Sequence, residues 1–288
     1  MAAASSGLPP TPLTPISPSS EFSFWLKRED QQLGFSAHIR GVYNRMIQVP
    51  AADRWRGLVF HGVHYGHYIK SIAMASRLLQ IQVQIVTPWN MRPAEVQELR
   101  DLGCGVVTPE AIPTGTSWID PLEDPYVLAG IGTSILEILH QLNTSPDLEA
   151  IFCADPAGGV LKALRLAIRQ LVPHVRVFGV RLAPDGPVKD CSTDSCQTDA
   201  TILVERDCVL RAIGEVFQTT RTVIDRDGAL AVAGMKRYAT EHGEGKFGAA
   251  RHTTSLVAVT SSAEEIPLDS LYGCYGGIVA SLPIRWSG

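Results

Sequence analysis

The sequence predicts an α/β protein built on parallel sheets. Two observations carry this. Short apolar runs alternate with stretches whose apolar residues recur at helical spacing, the pattern of strand–helix–strand crossovers. At two places an apolar run ends in a small-residue turn that feeds straight into a helical stretch: residues 59–68 (VFHGVHYGHY) and residues 151–160 (IFCADPAGGV). In such folds ligands bind beyond the carboxyl ends of the strands. The first of these turns, crowded with His61, His64 and His67 beside Tyr65 and Tyr68, is therefore where chemistry is expected.

The elements follow in order. Residues 1–20 are rich in Ala, Pro and Ser, contain no basic residue and have no apolar stretch of targeting length, so a disordered tail is expected. Residues 22–26 (FSFWL) suit a strand. A helix is expected over 37–48, with Ser36 as its cap. Residues 57–60 form a strand, and 65–80 a helix with Ile69, Ile72, Ala73 and Ser76 on one face. Residues 82–86 are a strand, 93–102 a helix with Pro93 where its missing N–H is harmless, and 105–107 a strand. Further helices are expected over 128–143, 160–171, 205–217 and 228–240, and strands over 148–154, 175–182 and 255–260. Residues 183–200, with Pro, Gly, Asp, Ser and Thr, read as a long loop. No repeat recurs at a fixed period.

Composition narrows the class. With 288 residues and 45% hydrophobic content the chain is able to bury a real core. A net charge of −4 argues against a broad nucleic-acid surface, and no run of 18 apolar residues predicts a membrane span. Of the six cysteines only Cys191 and Cys196 lie close together, with no second ligand pair nearby, so no metal is expected and the thiols read as reduced, in a cytoplasmic protein.

Four segments together resemble the fold type II pyridoxal-phosphate enzymes, and among them the threonine/serine dehydratases. They are residues 26–30 (LKRED) with 39–44 (IRGVYN), the 62–64 turn (GVH), residues 120–125 (DPLEDP) with 129–133 (AGIGT) and Glu137, and residues 156–159 (PAGG) at the place of the family's tetraglycine loop. The resemblance spans about residues 24–260 and implies two parallel-sheet domains with a cleft between them. It assigns residues 21–36 and 115–288 to a large domain and 37–114 to a small one, leaves too few residues after 260 for a regulatory domain, and is compatible with a homodimer.

The departures from the family pattern matter most. The lysine that joins the family's cofactor aldehyde stands just before its RGA motif; here that residue is His38, and an imidazole does not form that Schiff base. Val63 replaces the asparagine that meets the cofactor ring, and Pro156 removes an N–H from the phosphate loop, where Gly158 and Gly159 remain. Ser261 or Ser262 matches the residue facing the pyridine nitrogen. Arg40, of the retained Arg-Gly pair, and Glu137 are expected in structural ion pairs.

The expectation is therefore a reshaped pocket that uses no cofactor and takes a hydrophobic small molecule. His38, His64 and His61 are the candidate catalytic groups, as proton carriers or hydrogen-bond donors. Val63, Tyr65, His67, Pro156, Gly158, Gly159 and Ser261 are expected to line the pocket. Such a site suits cyclisation or pericyclic chemistry, in which a fixed near-attack geometry lowers the barrier, and the chain resembles Diels–Alder-type cyclases of fungal secondary metabolism. Two other readings stand beside it: a surviving pyridoxal-phosphate dehydratase-type lyase, and a non-catalytic pseudoenzyme that binds a metabolite.

Overall fold

The computed structural model describes residues 7–16, 19, 21–61, 66–87, 92–108, 118–120, 123–142, 148–155, 158–184, 199–243 and 254–260. Two sheets organise the chain, as the family resemblance implies, and most of their pairings are parallel, as the alternation predicts. The larger is formed by β1 (Leu13–Ile16), β2 (Phe22–Lys27), β10 (Thr254–Val259), β7 (Leu148–Cys153), β8 (Arg176–Leu182) and β9 (Ala200–Val204), in that spatial order. All its pairings are parallel except that of β1 with β2. The smaller sheet is fully parallel, in the order β5 (Gly105–Val107), β4 (Val83–Val86), β3 (Leu58–His61) and β6 (Trp118–Ile119). Helices α1 (His38–Ile47), α2 (Gly66–Leu79), α3 (Pro93–Asp101), α4 (Pro125–Gln141), α5 (Gly159–Leu171), α6 (Arg206–Thr220) and α7 (Arg226–Gly243) complete the described elements. The central strands β7 and β10 are buried on both faces, the usual state of parallel strands covered by helices.

The disordered tail is overturned in part. Residues 13–16 form β1, in register from Leu13 opposite Lys27 to Ile16 opposite Phe24. Pro15 is tolerated because β1 is an edge strand, where a missing N–H breaks no inner ladder. Thr11 is buried, and its hydroxyl donates to Glu29 Oε1 at 2.7 Å. The loop expected over 183–200 gives way at its end to β9, which starts at Ala200. Helix α4 begins at Pro125 rather than at 128, because Asp124 caps it by accepting from Tyr126 N and Val127 N at 2.9 and 3.2 Å.

Helix α1 is clamped between α4 and the buried segment after β2. The Arg40 guanidinium meets Glu29 at 2.7 and 2.9 Å and Glu137 at 2.6 and 2.9 Å. Lys27 Nζ also donates to Glu137, at 2.6 Å. The ion pair expected for Arg40 is therefore a buried network that includes Glu137. Burial disfavours charge on Arg40, but Glu29 and Glu137 more than offset this and raise its pKa. Burial likewise works against a charged Glu137, while Arg40 and Lys27 hold its pKa below the ordinary value.

The crossing of α1 and α4 depends on glycine. A Cβ built on Gly130 would lie 2.3 Å from the Arg40 carbonyl oxygen and 2.8 Å from Asn44 Cβ. Gly130→Ala must push α1 away from α4 and is expected to cost about 1–3 kcal/mol in urea unfolding. An unchanged midpoint would mean that the crossing tolerates a wider spacing.

Candidate functional site

The first residue of α1 is His38, so the helix that the Arg40 network fixes also fixes this ring. Two sheets meet at it. Asp155 lies just past the end of β7 in the larger sheet, and His67 lies in the first turn of α2, just past β3 in the smaller one. Both act electrostatically on His38. Groups just beyond the carboxyl ends of both sheets thus act on one histidine, and such strand ends are where this fold class binds its ligands.

Each group around His38 has a defined role. Ser36, fully buried, places its hydroxyl 2.9 Å from His38 Nδ1 and accepts from the His38 amide N at 3.3 Å. It serves α1 as expected, although Ala37 holds the formal cap position. The Tyr68 ring stands edge-on to the imidazole, with centroids 5.6 Å apart and planes at 76°. Tyr68 is buried, and among the described residues its hydroxyl has no hydrogen-bond partner. Burial is the main influence that raises the pKa of this phenol, with Asp120 and Asp124 adding to it.

Burial also dominates at His38 and lowers its pKa; Asp155 opposes the shift and His67 reinforces it. The neutral imidazole is therefore the resting form at neutral pH. Between the lowered folded value and the ordinary 6.5, the unfolded chain binds a proton that the folded chain refuses. Stability should fall as the pH drops below 6.5, and His38 should contribute no such loss above it. Urea midpoints on either side of that pH, for wild type and His38→Gln, check this; the wild type should lose more on acidification.

At the second turn, the start of α5 is built by Asp155 and the two glycines. Asp155 Oδ2 accepts from the N–H of Val160 at 2.6 Å and of Leu161 at 3.2 Å, and its carbonyl accepts from Gly158 N at 3.2 Å. Gly158 takes φ +81°, a left-handed value that favours glycine, and Gly159 opens the helix. Asp155 is only 7% exposed.

Of the residues singled out from sequence, His67 acts electrostatically on His38, while Gly158 and Gly159 stand at the start of α5 beside the Asp155 carboxylate that caps it. The backbone of His61 ends β3, opposite Val86. Val63, His64, Tyr65, Pro156 and Ser261 lie outside the described residues. Asp155 was not singled out, although a carboxylate ending a strand just ahead of Gly158-Gly159 signals a helix start. Tyr68, which the sequence places in the histidine-rich turn, has both a buried ring and a hydroxyl without a partner among the described residues. Among those residues no group of three or more His, Cys, Asp or Glu is arranged to hold a metal. An apolar groove between α4 and α5, lined by residues such as Leu128, Leu136, Ala163 and Leu166, shares no residue with this cluster.

Comparison with known proteins places these features in a lineage. Residues 4–194 match the family described as pyridoxal-phosphate dependent enzyme. A mitochondrial threonine dehydratase of Schizosaccharomyces pombe is 31% identical over 81% of this chain and 46% of its own length. The threonine dehydratase-like protein AKTS1-1 of Alternaria alternata is 30% identical over 88% of this chain and 71% of its own. The chain thus spans about half the length of the first relative and most of the second. Among solved structures, the processed form of threonine deaminase isoform 2 from Solanum lycopersicum has a TM-score of 0.72 at 23% identity, covering 95% of this chain and 84% of that one. Maize serine racemase has a TM-score of 0.68 at 18% identity, covering 97% and 95%.

The described residues do not fit the family's cofactor. Each described lysine already has a partner. Lys27 spends its three donors on Thr11 O, Glu137 and Gln141. Lys70 pairs with Glu98, Lys162 with Glu123 and Lys236 with Glu215. At the start of α5, Asp155 already takes N–H groups that would otherwise be open to a phosphate. What the chain has kept is the scaffold, its two parallel sheets and the motifs that clamp them: it belongs to the pyridoxal-phosphate dependent enzyme family.

Proposed function

We propose that this chain is an enzyme that works without pyridoxal phosphate, using the threonine dehydratase scaffold to bind and convert a hydrophobic small molecule at the His38 site. The observation that carries this is the convergence of His38, His67 and Asp155 where the two sheets end, at the position where a dehydratase would present its lysine. Ser36 Oγ accepts from the His38 amide at 3.3 Å and stands 2.9 Å from Nδ1, within reach for its O–H to donate there. We assign that arrangement, which leaves the ring proton on Nε2 and makes His38 a neutral hydrogen-bond donor.

A fixed neutral donor suits a reaction in which charge grows on a carbonyl oxygen of the substrate in the transition state. Cyclisation of a conjugated substrate, of the Diels–Alder type, is the reaction we favour. The cleft holds the reacting ends near each other, and His38 stabilises the polarised carbonyl. Val63, Tyr65, Pro156 and Ser261 remain the proposed wall, and His64 and His61 remain candidate catalytic groups beside His38. Such a reaction neither adds nor removes atoms. Deleting the chain from its native pathway should therefore accumulate an open-chain compound of the same mass as the missing product. An accumulated compound that differs from the missing product by the elements of ammonia, the net loss in a dehydratase reaction, would overturn the cyclase.

A second reading, a pyridoxal-phosphate-dependent serine or threonine dehydratase, is favoured by the relatives, several of which are named threonine dehydratases. It predicts 2-oxo acid and ammonia from L-serine or L-threonine when the cofactor is supplied; absence of both leaves the first reading in place. No helix among the described residues is long and apolar enough to cross a membrane. A cytoplasmic location is part of the proposal, although some relatives carry mitochondrial or chloroplastic names.

A further inference from the structure

We infer that Asp155 is a built-in anion that closes the phosphate end of the ancestral site, so that the cleft rejects phosphorylated ligands and selects ones without a negative group at that end. The inference rests on the proposed cofactor-free reading and supplies a physical cause for it. The start of a helix attracts anions because its first N–H groups have no partner in the helix and its dipole is positive there. In α5 the Asp155 carboxylate takes the N–H groups of Val160 and Leu161, and its own main-chain oxygen takes that of Gly158. An incoming phosphate finds those donors engaged and a carboxylate in front of them.

Two further features point the same way. Asp155 is buried, which leaves little water between it and an anion arriving at this helix end, so repulsion is only weakly screened. Its charge is felt as far as His38, where it works to raise the imidazole pKa. The charge is thus part of the cleft's electrostatics as well as of the helix cap. A neutral or cationic group suits this end of the cleft, which agrees with a hydrophobic substrate and not with a phosphate ester.

The test is binding, independent of activity. Inorganic phosphate and pyridoxal phosphate are titrated by calorimetry against the full chain, wild type and the variants Asp155→Asn and Asp155→Ser, which keep a capping group but remove the charge. Circular dichroism checks that each variant is folded. Wild type should show no saturable binding of inorganic phosphate, and the neutral variants should bind it at least about tenfold more tightly, the scale set by one charge at a helix start. Saturable phosphate binding by wild type, or folded neutral variants with no gain, overturns the inference. The two proposals fail differently. Wild type that binds phosphate but forms no coloured adduct with pyridoxal phosphate sinks only the Asp155 inference. A coloured adduct on wild type sinks the cofactor-free reading as well.

Discussion

His38→Ala should leave the chain folded and lower product formation by about 10²-fold or more, the usual contribution of a positioned proton donor or acceptor. The fold should survive because His38 is the first residue of α1, while Ile39 and Arg40 on the same helix anchor it in the core. Product is measured by comparing extracts of the native pathway carrying wild type or the variant, and the fold by circular dichroism. His38→Gln, which keeps a donor amide but cannot titrate, separates two roles. If hydrogen bonding to a polarised carbonyl is what matters, Gln should recover part of the loss; if proton transfer matters, it should behave like Ala. Unchanged product with His38→Ala removes His38 from the mechanism.

The largest stability effect is expected at Arg40. Its guanidinium is bonded to Glu29, whose side chain is 1% exposed, and to Glu137, which in turn holds Lys27. Removing the guanidinium leaves the Glu29 carboxylate buried with the Thr11 hydroxyl as its remaining bond among those described. Breaking one partner out of a buried pair costs about 3–5 kcal/mol. Arg40→Ala should lower the urea midpoint accordingly, and Arg40→Lys should recover only part of it, because an ammonium cannot meet two carboxylates with paired, planar donors. A loss under 1 kcal/mol for Arg40→Ala would mean that water enters and solvates Glu29. The site feels the same network, since α1 carries both Arg40 and His38.

Much of this fold was legible from the residues. The alternation of apolar runs with helical spacing foretold the parallel sheets, and the Arg-Gly motif with Glu137 foretold a buried ion pair. Elements were missed where local composition opposes the tertiary outcome. Pro15 argues against a strand until an edge position makes its missing N–H harmless, so β1 looked like tail. Trp118–Ile119 is too short to show a period, and it becomes β6 only because Val59 and Phe60 stand beside it. At the site, the resemblance put His38 where the family pattern has a lysine. Asp155 did not stand out, because its significance lies in which N–H groups it meets, and no spacing rule reports that. The convergence of His38 with His67 and Asp155 likewise arises from the meeting of two sheets whose strands are far apart in sequence.

The measurement that bears most directly on the cofactor-free reading is a titration of the purified wild-type chain with pyridoxal phosphate, followed by visible absorbance and then by borohydride reduction and intact-mass analysis. No saturable coloured species and no gain in mass are expected if His38 stands where the amine would be and Asp155 where the phosphate would be. A saturable visible band, with a reduced pyridoxyl group fixed to one lysine, would contradict that reading and return the chain to the pyridoxal-phosphate dehydratases.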